Sequence, residues 1–319
     1  MPRFDVTTIG EGQLRYSVPA GVRLAEVDRL DVHVTGTELN VVCLLSRLGW
    51  RTGWTSGLPD SPLGQRVMRA LQLAGVDGTA VSHSPNQRLA TYYVEFAHPP
   101  RSSQVYYDRA NTAFTNLTSA DIDWNYLLDT RLLHISGLTV PLSDTVQTIL
   151  REALERAKVN NIPVSFDMNY RSRLWTPEAA AVGARPFVEA CDMLFFPIRD
   201  AKTMFGFAGS DEEVIAQLGD MGAARYITVS RGANGLLGWD RHQFYAVPAR
   251  ETVVLDRIGA GDSMVAGVLH GYLQGDFAKG LRYGVLTAAL ALSYYGDQIV
   301  VSAPELEQLL DEAGGDIVR

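Results

Sequence analysis

Residues 254–267 read Val-Leu-Asp-Arg-Ile-Gly-Ala-Gly-Asp-Ser-Met-Val-Ala-Gly. Gly259, Ala260 and Gly261 are small enough for backbone N–H groups to approach an anion closely. The apolar run 265–273 reads as a helix, so a positive helix end meets the same point. Asp262 stands at the junction, where a carboxylate can take a proton from an attacking hydroxyl. Phosphoryl transfer needs these parts together: a cradle for developing negative charge and a base for the nucleophile. A bare G-x-G-D is also explained by a glycine turn with Asp as helix cap. Asp256 at fixed spacing upstream and the small pair Ala266-Gly267 downstream go beyond that account.

The run resembles the C-terminal signature of the ribokinase-like (PfkB) sugar kinases, D-T-x-G-A-G-D-x-F-x-A-G. Arg257 replaces the usual Thr and Met264 the usual Phe. Neither change removes the cradle or the base. The resemblance implies that Asp262 is the catalytic base and that Gly259, Ala260 and Gly261 supply the anion-hole amides. It implies ATP as phosphoryl donor, with Mg2+ bridging its phosphates and held mostly by water and nucleotide. Ser230-Arg231-Gly232-Ala233-Asn234-Gly235 resembles the family's x-x-G-x-x-G nucleotide loop. Ser230, Gly232, Gly235 and Gly261 are therefore the nucleotide-binding candidates. Ala288, Ala289 and Ala291 would let a flat adenine lie close, although a plain buried helix explains them equally. Many members carry N-x-x-E near residue 197, where it helps to organise Mg2+. Here Pro197 takes the Asn position and Asp200 the Glu position. Asp200 is the one metal candidate, and an Asp at a helix N-terminus is the simpler account of it.

The acceptor is read from three further stretches. Thr35-Gly36-Thr37-Glu38-Leu39-Asn40 resembles the family's sugar-binding corner G-G-x-x-x-N, with Thr35 replacing the first Gly. Gly36 and Asn40 are candidates, and Asn suits a hydroxyl as both donor and acceptor. Val105-Tyr106-Tyr107-Asp108-Arg109, followed by Thr112-Ala113, resembles the Y-Y-x-R-x-x-S-A of the 2-keto-3-deoxygluconate kinase branch. Tyr92, Tyr107 and Arg109 follow as candidates. Phe166-Asp167-x-Asn169-Tyr170-Arg171-x-x-Leu174-Trp175 is the second feature of that branch, adding Asp167, Asn169 and Arg171. An Arg fork can bind a carboxylate bidentately, whereas a neutral hexose needs no such residue. The preferred acceptor is 2-keto-3-deoxygluconate or a close sugar acid. A neutral-sugar kinase of fructokinase or ribokinase type is the alternative, as is a member that binds sugar without turnover.

Strand-helix alternation must position these residues. Apolar strands at 4–9, 132–135, 163–166, 193–196 and 226–229 alternate with helical patterns. That pattern predicts a doubly wound, mostly parallel α/β sheet with helices on both faces. Ligands in such sheets sit beyond the carboxyl ends of the strands. Runs at 14–18, 24–34, 89–96 and 104–108 read as extra strands that form a small four-stranded β-lid. The division is 1–12, 36–87 and 112–319 for the core, with 13–35 and 88–111 for the lid. A lid serves a kinase by excluding water, which would otherwise accept the phosphoryl group.

Composition narrows the class. Net charge is 28 − 36 = −8, which argues against nucleic acid as partner. Two cysteines, Cys43 and Cys191, form no metal-ligand spacing and suit a reducing compartment. Residues 1–10 lack a signal-like apolar region, and no apolar run approaches the ~20 residues of a membrane span. No Walker A loop, serine elbow or G-x-G-x-x-G appears. A cytoplasmic enzyme is expected, with a small sugar or sugar acid and ATP as ligands. The resemblance adds a homodimer through the lid.

Overall fold

The computed structural model describes residues 1–311. In chain order the strands are β1 (Val6–Ile9), β2 (Gln13–Val18), β3 (Asp31–Thr35), β4 (Thr52–Thr55) and β5 (Gly57–Pro59). Next come β6 (Ser82–Ser84), β7 (Ala90–Glu95), β8 (Gln104–Asp108), β9 (Leu133–Ser136) and β10 (Val164–Asp167). The last are β11 (Met193–Pro197), β12 (Tyr226–Ser230), β13 (Leu236–Trp239) and β14 (Phe244–Val247).

Eight strands form the main sheet, in the order β14-β13-β12-β11-β10-β9-β1-β4. From β4 to β12 every pairing is parallel; β13 alone is reversed, pairing antiparallel with both β12 and β14. The central strands are apolar because both faces are covered. In β11, Met193 and Phe195 join one apolar cluster, and Leu194 and Phe196 join the other. That is the period-2 alternation of a strand buried on both sides. One cluster takes in the helices Thr37–Arg47, Ala260–Leu273 and Phe277–Leu292; the other takes in Asp144–Val159 and Pro177–Ala190. The mostly parallel sheet with helices on both faces is the architecture the alternation predicts.

A separate sheet has the order β3-β2-β7-β8. Its register pairs Gln13 with both Thr35 and Ala90, and Tyr92 with Tyr107. One expectation needs correction: the run 24–34 is a strand only over Asp31–Thr35. Leu24–Glu26 is a 3-10 turn instead. Glu95, the last residue of β7, holds that turn through its side chain, accepting from the Leu24 N–H at 3.1 Å and from Arg23 at 2.8 Å. A separate short parallel pairing joins β5 to β6.

Helix Ala260–Leu273 is almost wholly buried, so it needs small residues where it crosses its neighbours. Its N-cap is Gly259, at φ +86°, and a Cβ there would stand 2.5 Å from the Asp297 carbonyl oxygen. Only glycine meets both conditions. The amphipathic pattern from residue 304 predicts a closing helix over 304–313; it is observed as Ala303–Asp311, and residues 312 and 313 lie outside the described residues. Among the described residues no helix is long and apolar enough to cross a membrane.

Candidate active site

A cleft of about 450 Å³ opens between the two sheets. Asp167, Pro197 and Ser230, the last residues of β10, β11 and β12, all line it. This is the carboxyl edge of the parallel sheet, where the strand-to-helix connections diverge and leave room. Gln13, Thr35, Tyr92 and Tyr107 face the same space from the small sheet.

Asp262 is the third residue of helix Ala260–Leu273 and lines the cleft at 7% exposure. Its Oδ1 accepts from Thr37 Oγ1 at 2.7 Å and from Asn169 Nδ2 at 3.3 Å. Its Oδ2 accepts from Asn40 Nδ2 at 2.7 Å. Asn169 also donates to Thr37 Oγ1 at 2.7 Å, so the donors are themselves oriented. Thr37 and Asn40 stand on the first turn of helix Thr37–Arg47, one turn apart and therefore on one face. Asn169 sits at φ +40°, a left-handed conformation that Asn tolerates better than most residues. Burial raises the Asp262 carboxyl to about 6, against the lowering pull of the Asn40 and Thr37 hydrogen bonds. Asp167 is raised to about 7, first by burial and then by the charge of Asp262.

The expected anion-hole residues divide between two cavities. Gly259 lines the cleft, Ala260 lines a second cavity of about 240 Å³, and Gly261 lines both. Ser230 and Met264 are also shared, so the cavities meet beside the helix N-terminus. Gly232, Gly235, Ala288 and Ala289 line the second cavity, whereas Ala291 is buried in the core. Gly235, at φ +78°, lets the loop pass within contact of β14: a Cβ would stand 2.1 Å from the Val247 carbonyl oxygen.

The acceptor candidates are gathered with differences. Gly36, Tyr92, Tyr107, Arg109, Asp167, Asn169 and Arg171 line the cleft; Asn40 does not, because its amide is turned onto Asp262. Arg109 is held by Glu11, with Nε at 3.1 Å and Nη2 at 2.7 Å from Oε2. Arg171 is exposed and makes no close ion pair among the described residues, although its charge opposes the raising of the Asp167, Asp262 and Asp200 carboxyls. Asp200 lies in the first turn of helix Ile198–Phe205, buried at the cleft wall, 3.6 Å from Arg199 Nε. Burial raises its carboxyl above the ordinary value. Among the described residues no group of three or more His, Cys, Asp or Glu side chains is gathered to hold a metal ion.

Some site residues escape sequence reading. Thr37, the hydroxyl on Asp262, was visible only as part of the sugar-binding corner. Asp297 lines the cleft and accepts from the Tyr92 hydroxyl at 2.7 Å. Its only signal was the Gly296-Asp297 pair that ends a long apolar helix pattern. Gln13 and Arg199 at the cleft carried no signal, and Arg257 was visible only as the replacement of the signature's usual Thr.

A doubly wound sheet whose cleft joins a helix-borne carboxylate to a glycine-lined cavity defines a ribokinase-like small-molecule kinase. Residues 6–304 match the family described as pfkB family carbohydrate kinase. The chain belongs to that family and is a carbohydrate kinase. It is 34% identical over 313 residues to a 2-dehydro-3-deoxygalactonokinase of Haloferax volcanii, covering 98% of each chain. It is 27% identical to a 2-dehydro-3-deoxygluconokinase of Bacillus subtilis, covering 92% of this chain and 91% of the relative. The crystal structure of a 2-dehydro-3-deoxygluconokinase from Thermotoga maritima superposes with a TM-score of 0.90 at 30% identity. That match covers 97% of this chain and all of the other.

Proposed function

We propose that the enzyme transfers the γ-phosphoryl group of ATP to a hydroxyl of a sugar acid, 2-keto-3-deoxygluconate or a close relative such as its galacto epimer. The carrying observation is the continuity of the two cavities at Ser230, Gly261 and Met264, with Asp262 on the cleft side of that junction. ATP then lies along Gly232, Gly235, Ala288 and Ala289, and its terminal phosphate reaches the helix N-terminus. The acceptor hydroxyl gives its proton to Asp262 as its oxygen attacks the γ-phosphorus; the bond to the β-phosphate oxygen breaks, and ADP leaves. Amides of Gly259, Ala260 and Gly261 stabilise the charge on the moving group. Asn40, Thr37 and Asn169 keep the base oriented. Mg2+ would neutralise phosphate charge when bound, held mainly by the nucleotide and water, with Asp200 at the cleft wall the side chain that would orient those waters.

An acid acceptor is favoured by Arg171, an exposed cation at the cleft with no close ion pair among the described residues, and by the relatives named for 2-dehydro-3-deoxy sugar acids. Arg109 keeps Nη1 for the same carboxylate while Glu11 holds its other edge. In this reading the segments 13–35 and 88–111 are the lid, which excludes water over the acceptor. The reading also places the enzyme in the cytoplasm as a homodimer through that lid.

The test is ATP consumption with 2-keto-3-deoxygluconate, its galacto epimer, fructose and ribose. The keto acids are expected to exceed the neutral sugars in kcat/KM by roughly 100-fold or more, since an unmatched Arg pocket rejects a neutral isostere strongly. Preference for fructose or ribose would make it a neutral-sugar kinase. Binding of sugar without turnover of any would make it a non-catalytic member.

A further inference from the structure

Arg15 lies on β2 and is completely buried. Its Nη2 donates to Asp256 Oδ2 at 2.5 Å, and its Nη1 donates to Asp297 Oδ1. Both carboxylates are engaged on their other side. Asp256 Oδ1 accepts from the Ile258 N–H at 3.0 Å, and its Oδ2 also accepts from the Gly296 N–H at 3.2 Å. Asp297 Oδ2 accepts from the Tyr92 hydroxyl on β7. The Asp297 backbone closes the circle, since its carbonyl lies against Gly259. One guanidinium thus ties the small sheet to the turn that enters helix Ala260–Leu273 and to the turn after helix Phe277–Leu292.

Stability is a poor reason for such a cluster. Two carboxylates and one guanidinium leave an unbalanced charge out of water, and buried ion clusters of this kind are often no better than apolar replacements. Among the described residues Arg15 Nε has no hydrogen-bond partner, so the side chain is committed to the two carboxylates. What the cluster does fix is position, on both sides of Gly259.

We propose that Arg15 is a positioning residue for phosphoryl transfer: the small sheet supplies the cation that sets the turn carrying the Gly259, Ala260 and Gly261 amides against Asp262. The proposal rests on the kinase reading above. Docking of the small sheet and assembly of the anion hole then become one event. A turn displaced by about 1 Å costs on the order of 100-fold in rate.

The test is steady-state kinetics on the full chain, with ATP and whichever keto acid the wild type turns over best. Arg15→Ala is expected to lose roughly 100-fold in kcat with KM for ATP within about threefold. Millimolar guanidinium is expected to restore part of that loss and to leave the wild type unstimulated. Arg15→Lys keeps a charge but loses the fork, and its kcat is expected between the two. Should Arg15→Ala fail to fold by circular dichroism, the lowered kcat of Arg15→Lys at unchanged KM carries the test. Wild-type kcat in either folded variant overturns the proposal. So does a folded Arg15→Ala whose deficit ignores guanidinium, and so does failure of both variants to fold, which would assign Arg15 to stability. An inactive wild type sinks the kinase reading itself; an active wild type with an unaffected variant sinks only this proposal.

Discussion

Asp262 is a single acid in an unusual place. It is buried, takes three hydrogen bonds and faces a cleft. Burial carries its carboxyl from the ordinary 3.8 to about 6. A general base works only when deprotonated, so kcat is expected to fall about tenfold per pH unit below pH 6. A kcat profile that stays flat down to the ordinary carboxylate range would contradict a base in this environment. The acid and its glycines were legible because the motif is local. Arg171 was legible because its loop follows a strand end. Thr37, Asp297 and Arg15 were not, because their roles depend on partners 225, 205 and 282 positions away. Asn40 was read as a sugar ligand because its type suits a hydroxyl; only the fold reveals that Asp262 takes its amide first.

At the scale of elements, the turn into helix Ala260–Leu273 carries the most constraint. Gly259 combines φ +86° with the Asp297 carbonyl where a Cβ would stand. Gly259→Ala is therefore expected to lower the melting temperature by several degrees, the scale of a loss exceeding ~1 kcal/mol at a left-handed glycine. Its kcat should fall with it, because the displaced turn holds the amides. A thermal melt and a rate at saturating ATP check both; an unchanged melt would mean that the turn adapts freely. The alternating strands and helices of the core were readable from periodicity, since each element buries its own faces. The connection over residues 24–30 was misread as strand because its partial alternation is not matched by ladder partners. Its turn is held by Glu95, on a strand some 70 residues away in sequence.

Across the whole molecule, several acids are buried near one cleft, and their titration couples to folding. Glu38 is raised to about 8, first by burial, with a Thr139 hydrogen bond opposing. Between about 4.5 and about 8 the folded chain keeps this proton while the unfolded chain releases it. Proton binding is then greater in the folded state, so stability falls as pH rises through that window. Asp167 and Asp262 act in the same direction over their own windows, ending near 7 and 6. Glu38→Gln cannot ionise, and its melting temperature is expected to decline several degrees less between pH 5 and pH 8 than the wild type's. Parallel declines in the two proteins would show that Glu38 is ionised throughout. Family, fold and cleft were all legible in the sequence at this scale, because the resembling motifs are spread from the sugar-binding corner to the final helices.

The central claim is that Asp262 takes the proton of the acceptor hydroxyl. Asp262→Asn keeps the shape and the helix N-terminus but removes the base. With the preferred sugar acid, kcat is expected to fall at least ~100-fold, the usual scale for losing a catalytic base. ATP binding, measured by calorimetry on the same protein, is expected to stay within about threefold, because Asp262 lies outside the lining of the second cavity. Turnover near the wild-type rate in that variant would contradict the account.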